Sequence, residues 1–169
     1  MGNSSAKKGK APSQSTVESR YLVMPDQASP NGTVFGGVIM SWIDMVASMA
    51  AVKHCEKEVV TAGIDSISFR QPINVGDHVA LRAFVNFVSR TSMEVGVRVT
   101  SENPIIGRSV KATSAHLTFV ALDENRKPTE VIPIIPETEE EKRRYENAKL
   151  RVKTRKELLA KIRLGENNT

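Results

Sequence analysis

One stretch limits what this chain can fold into. Residues Asn31 to His54 (NGTVFGGVIMSWIDMVASMAAVKH) form a long apolar run with a single acid, Asp44, in its middle. The body from Val38 to Val52 is apolar nearly all round, which predicts a helix buried on most faces. A carboxylate there must find hydrogen bonds, take up a proton or line a cavity that water enters. A membrane span competes with a core helix for such a sequence. An Asp at the centre of a span costs about 2.5 to 3.5 kcal/mol, and an alternating strand pattern follows at once, so the reading is a core helix. On helical spacing Gly37, Ser41, Asp44 and Ser48 share one face, a narrow polar strip.

The segments around it read as strands. Glu18 to Met24 is strand-like and stops at Pro25, and Asp26 to Gly32 is a turn by its chemistry. After His54 the period becomes two. Val59 to Gln71 is β-rich, and Val79, Leu81, Ala83, Val85 and Phe87 alternate along the next strand. Then Met93, Val95, Val97 and Val99 oppose Glu94, Arg98, Thr100 and Glu102, which predicts a sheet with one buried and one wet face. Only Ser89-Arg90-Thr91 separates these two strands, the length of a hairpin turn. The last strand runs from about Ile106 to Leu122, with Val110, Ala112, Ser114, His116, Thr118 and Val120 on one side. Short turns make these strands antiparallel, and the apolar face of the sheet needs the helix as cover. The expected fold is α+β, a curved antiparallel sheet wrapped around one long central helix.

The ends differ from the middle. Residues 1–16, rich in Ser, Lys, Gly and Ala, are expected to be a disordered arm. Its start resembles a myristoylation signal only faintly, since Ala6 stands where Ser or Thr is wanted. The folded domain is expected over 17–136. Pro128, Pro133 and Pro136 mark an extended linker, and 137–169 reads as a charged helix and tail. Its acids (Glu137, Glu139, Glu140, Glu141) precede its bases, as the helix dipole favours. Tyr145, Ala148, Val152, Leu159 and Ile162 give it a thin apolar stripe for docking.

At 169 residues the chain suits one domain, burying roughly 70% of the surface its unfolded form exposes. The lone Cys55 cannot form an internal disulfide, and His54, His78 and His116 have no metal-ligand spacing. A reducing, cytoplasmic setting is the default. The net charge of +5 sits mostly in the two ends. The strands also lack the aromatic and Arg interleaving that stacks bases, so nucleic acid is not an expected partner.

Chemistry centres on the helix. Gly36-Gly37 at its start leaves backbone amides free to hold a carbonyl oxygen as charge develops on it. Asn31 adds a side-chain amide just upstream, and Asp44 could activate a water. The plainer alternative pairs Asp44 with Ser41, Ser48 or an Arg from a strand, or turns it to solvent in a way the pattern hides. Cys55 and His54 are adjacent and do not face each other on a helix. His116 reads as a hydrogen-bonded sheet histidine. No G-x-S-x-G elbow or P-loop is present.

Four ordered blocks carry a resemblance: Asn31 to Ala47, Val60 to Asp77 (VTAGIDSISFRQPINVGD), Arg90 to Val95 (RTSMEV) and Ala112 to Asp123 (ATSAHLTFVALD). Together they resemble the hotdog-fold acyl-CoA thioesterases, in the branch of the brain-type acyl-CoA hydrolases, over about Tyr21 to Arg155. The resemblance implies hydrolysis of acyl-CoA to free fatty acid and CoA, with neither metal nor organic cofactor. By position it makes Asp44 the general base or nucleophile, Asn31 the residue that helps place water or thioester, and Gly36 and Gly37 the oxyanion segment. Arg90, Thr91 and Ser92 match the hairpin that meets CoA, with Ser89 where relatives often have Gly. It also implies a site shared across a homodimer, with dimers assembling into hexamers. Two other readings stand beside it: a hotdog module that binds acyl-CoA without turning it over, and a dehydratase, which would need a His beside Asp44.

Overall fold

The computed structural model describes residues 9–166, so residues 1–8 of the expected arm lie outside the described residues. A five-stranded antiparallel sheet has the order β1-β3-β4-β5-β2. Its strands are β1 (Val17–Leu22), β2 (Glu58–Phe69), β3 (His78–Val88), β4 (Ser92–Asn103) and β5 (Arg108–Leu122). Among the described residues three α-helices accompany it, α1 (Pro12–Ser15), α2 (Gly36–Cys55) and α3 (Glu139–Glu166), with a 3-10 turn at Pro25–Gln27.

The sheet wraps α2, as the apolar run and the alternating strands require. Ile39, Ile43, Val46 and Ala50 are buried against the inward side chains of β3, β4 and β5, among them Leu81, Val95 and Leu117. Tyr21 of β1 stacks on Trp42 with ring centroids 4.4 Å apart. Each buried Ile, Val or Leu contributes roughly 1.5 to 3 kcal/mol relative to exposure, so this face holds the helix in place. By length and composition α2 could cross a membrane, but this packing makes it the core helix of the sheet.

Three expectations change. First, α2 is not buried all round: Met40, Met45, Met49 and Val52 are 40 to 45% exposed. The sheet closes around one side only, and its edge strand β2 leaves Val60, Ile64 and Phe69 exposed beside them.

Second, the outer face of β4 is wet only in part: Arg98 and Glu102 keep access to solvent, but Glu94 does not. Glu94 is buried beneath α3, where Arg151 meets it with two hydrogen bonds, Nη2 to Oε1 at 2.6 Å and Nε to Oε2 at 3.1 Å. The stripe predicted on α3 docks through Ala148 and Val152, both buried, and through Tyr145 against Phe87. Leu159 and Ile162 stay exposed. Arg144 lies over the Phe84 ring, 4.2 Å from its centroid.

Third, the described part of the N-terminal arm is ordered into the domain. Lys10 forms a short parallel bridge with Ile134, donating its N–H to Pro133 O at 2.9 Å and accepting from Ile135 N at 3.1 Å, and Ala11 and Ser15 are buried. The Lys10 ammonium donates to Lys53 O at 2.7 Å and to the Glu56 carboxylate at 2.9 Å. A cation at the C-terminal end of α2 satisfies carbonyls that the helix leaves open and complements its dipole.

Candidate active site

The start of α2 is fixed by its flanking loops. Val34 N donates to Ile73 O at 2.8 Å, tying the approach loop to the Pro72–Asp77 turn, and Phe35 N donates to Gln27 O at 2.9 Å, closing the loop on itself. Buried Asp77 holds that turn, accepting from Asn74 N and the Ser101 hydroxyl, each at 2.9 Å. Phe35 is the N-cap, and no side chain caps the helix. The first amides, at Gly36 and Gly37, therefore project with the positive end of the helix dipole. A Cβ at Gly37 would lie 2.6 Å from the Phe35 ring, so a larger residue there would displace that exposed ring.

Upstream, the Asn31 carbonyl oxygen accepts from the Ser29 hydroxyl, from Thr33 Oγ1 at 2.8 Å and from Thr33 N at 3.4 Å. These bonds orient the side chain so that its NH2 is left as the group available to a ligand. A cavity of about 450 Å³ opens beside the helix start, lined by Thr33, Gly36, Ile39, Phe69, Arg70 and Pro72 among others.

Asp44 lies two turns further along and is half-buried on the open flank of α2. Thr61 of β2 donates to its Oδ1 at 2.8 Å. Among the described residues no basic side chain pairs with it, and neither serine of the predicted strip does. The Ser48 hydroxyl donates to Met45 O at 2.8 Å instead. Thr61 is the residue that sequence reasoning missed. Periodicity carries no sign of it, because β2 does not alternate and the contact depends on β2 being the strand beside this flank.

The predicted set does not converge within one chain. From Gly37 to Asp44 is about 10 Å of helical rise, too far for one carbonyl group to meet both. Arg90 and Thr91 lie in the β3–β4 turn and Ser92 begins β4; Arg90 O accepts from Val131 N and Thr91 O from Ala121 N, both at 3.0 Å. That turn is at the Glu58 end of β2, whereas Gly36 faces Phe69 at the other end.

The remaining candidates lie elsewhere. His54 is buried between the Ser15 hydroxyl (3.1 Å from Nδ1) and Ile132 O (3.2 Å from Nε2). Burial holds its pKa below the ordinary value. Burial likewise raises the pKa of the Cys55 thiol, whose Sγ points at Lys57 O. His116 is on the outer sheet face, 3.2 Å from the Ser66 hydroxyl, with its pKa lowered first by burial and then by Arg151. No histidine stands beside Asp44, so the dehydratase arrangement is not formed. Among the described residues no group of three or more His, Cys, Asp or Glu side chains could hold a metal ion.

A curved sheet wrapped on a central helix, with a carboxylate–hydroxyl pair on the open flank of that helix, is a hotdog-fold domain. The thioesterase superfamily model matches residues 31–107. The chain is 43% identical over 143 residues to the uncharacterized acyl-CoA thioester hydrolase YkhA of Bacillus subtilis, spanning 85% of this chain and 83% of that protein. It belongs to the thioesterase superfamily, among the acyl-CoA thioester hydrolases. It also matches the cytosolic acyl coenzyme A thioester hydrolase of Rattus norvegicus (39% identical), of which it spans only 34%.

Solved structures agree. An apo-hexameric acyl-CoA thioesterase superposes with a TM-score of 0.88 at 42% identity, covering 90% of this chain and 98% of that one. The acyl-CoA hydrolase of Staphylococcus aureus, in complex with butyryl-CoA, CoA and CoA disulfide, gives 0.87 at 35% identity, covering 94% and 96%. That hydrolase has also been solved with an Asp, a Thr and an Asn each changed to Ala. Its Thr follows its Asp by seventeen positions, the spacing of Asp44 and Thr61 here. Its Asn precedes the Asp by fifteen, a spacing that falls on Ser29 in this chain rather than on Asn31.

Proposed function

We propose that this chain hydrolyses acyl-CoA, with Asp44 activating water at a site shared between two copies. The observation that carries this reading is the Asp44–Thr61 pair, an acid without a basic partner among the described residues, on the flank of a helix whose first amides no described side chain caps. Asp44 takes a proton from water as its oxygen attacks the thioester carbonyl carbon, and Thr61 fixes the carboxylate. Gly36 and Gly37 amides receive the carbonyl oxygen as it becomes an oxyanion. The C–S bond then breaks, the proton passes to the thiolate, and fatty acid and CoA leave. No cofactor enters these steps.

Geometry supports the second copy. The separation of Gly37 from Asp44 is removed if two α2 helices lie side by side and antiparallel, so that one copy's Asp44 faces its partner's helix start. Pairing two β2 edges about a two-fold axis does this and covers an edge that otherwise offers unpaired backbone groups. It also brings the Arg90–Ser92 turn of one copy to the Gly36 end of the other, which supports that turn as a CoA contact. Asn31, oriented by Ser29 and Thr33, supplies the polar upstream group. Hexameric relatives such as the apo thioesterase support a hexamer built from these dimers. We place the enzyme in the cytoplasm.

Thiol release from a series of acyl-CoAs tests the activity. Turnover by the wild type and a loss of at least a hundredfold in kcat for Asp44→Asn are expected; equal turnover by the variant sinks the role of Asp44. Saturable binding with no thiol released would instead make the chain a binding module.

A further inference from the structure

Away from α2, on the outer face of the sheet, a cleft of about 230 Å³ opens between α3 and strands β3, β4 and β5. Six cations line it: Arg70, Arg98, Lys111, Arg143, Arg144 and Arg151. Three are offset by acids, since Glu140 pairs with Arg98 (3.5 Å) and Arg144 (2.7 Å) and Glu94 with Arg151. Arg70, Lys111 and Arg143 pair with no acid among the described residues. Unpaired cations on a surface ordinarily spread apart; here Lys111 is brought near Arg70, Arg98 and Arg143. Its pKa is lowered first by burial and then by those three charges. Like charges gathered on a concave surface focus a positive field, which favours a multiply charged anion.

Two details narrow the anion. Arg70 also lines the cavity at the start of α2, so the basic cleft and the candidate active site share a wall. The cleft is smaller than the 300 to 1,000 Å³ or so typical of whole small-molecule sites, room for the charged end of a longer molecule. On its lining, buried Asn86 gives its NH2 to Glu94 at 3.2 Å, and its Oδ1 has no partner among the described residues. An acceptor of that kind suits a ligand that carries hydroxyl or amino groups beside its phosphates.

We propose that this cleft binds the phosphate groups of a nucleotide, either the adenosine end of the CoA substrate or a free nucleotide. The first source rests on the acyl-CoA reading of the active site; the second does not. Forked guanidiniums match phosphate oxygens with paired hydrogen bonds, and Lys111 adds a point charge.

The test is calorimetric titration of the full chain with adenosine 3′,5′-bisphosphate and, separately, ADP. A Lys111→Ala/Arg143→Ala variant is compared with Lys156→Ala, on an exposed turn of α3, as a control. Saturable, salt-sensitive binding by the wild type and the control, weakened at least tenfold in the double variant, is expected. Neither altered residue holds a partner, so thermal unfolding should match the wild type; the single variant Lys111→Glu serves if it does not. A raised KM for acyl-CoA with unchanged kcat assigns the cleft to the substrate. An unchanged KM with lost nucleotide affinity assigns it to a free nucleotide. Absence of saturable binding to both probes, or undiminished affinity in the variants, overturns the proposal. Because binding is read directly, a chain that releases no thiol still tests it.

Discussion

Thr61 Oγ1 donates to Asp44 Oδ1 at 2.8 Å, and it is the one side chain among the described residues that fixes this carboxylate. A hydrogen bond to a charged group contributes about 1.5 to 3 kcal/mol. If the bond sets the direction of proton transfer, Thr61→Val should lower kcat roughly tenfold to a hundredfold while KM changes little. Thr61→Ser, which keeps the donor, should recover most of the rate. Steady-state thiol release on the three proteins decides it, and a valine variant with wild-type kcat would remove Thr61 from the mechanism.

The Glu94–Arg151 contact carries stability rather than chemistry. The Glu94 side chain is 1% exposed, so removing its guanidinium partner leaves a charge in the interior, with Asn86 as its other donor. Breaking a buried pair from one side costs about 3 to 5 kcal/mol, and Asn86 places this site at the lower end. Arg151→Ala should lower the denaturant midpoint sharply without changing the slope, and adding Glu94→Gln should restore much of the loss. Additive losses in the double variant would show that the two residues are not coupled.

His54 makes stability depend on pH. Its folded pKa lies below the unfolded value of 6.5 because burial disfavours the imidazolium. Its contribution is therefore complete above pH 6.5 and is lost as pH falls through the lower, folded pKa, where the unfolded state binds the extra proton. The ring contacts both α1 and the linker before α3, through Ser15 and Ile132. Mild acid should thus loosen the N-terminal segment first. Thermal unfolding between pH 5 and 8 should show a falling midpoint below about pH 6.5, flattened in His54→Gln; an equal slope in both proteins would assign the effect to other groups.

These contacts also show what could be read from the sequence. The inward faces of β4 and of β3 as far as Val85 followed from alternation, but Phe87 did not: an irregularity between Val85 and Phe87 turns its ring out against Tyr145 of α3. The central helix followed from its apolar run. The burial of Glu94 did not follow, since its cover comes from Arg151, far along the chain, and a charged residue on an alternating strand ordinarily faces water. For the same reason Lys10 and Ser15 read as tail residues until the end of α2 supplied carbonyls and His54 for them to bind. At the site, Asp44 and the paired glycines stood out as local anomalies. Thr61 did not, because its role exists only across two elements.

Whether the site is shared can be decided by mixing inactive chains. One variant carries Asp44→Asn and the other Ser29→Ala with Asn31→Ala, which removes the polar group and its anchor upstream of α2. Each alone should release little thiol. In a dimer with two equivalent sites, a mixed pair has one site with both lesions and one with neither. Random association of equal amounts makes half the dimers mixed, so co-refolded chains should recover about a quarter of wild-type activity. A site built within a single chain predicts no recovery at any mixing ratio. The exposed strand edge gives a check independent of chemistry. Ile64→Lys places a charge on exposed β2 surface, and light scattering should show a smaller assembly with activity lost in parallel. A variant that stays fully assembled and active would move the interface away from β2.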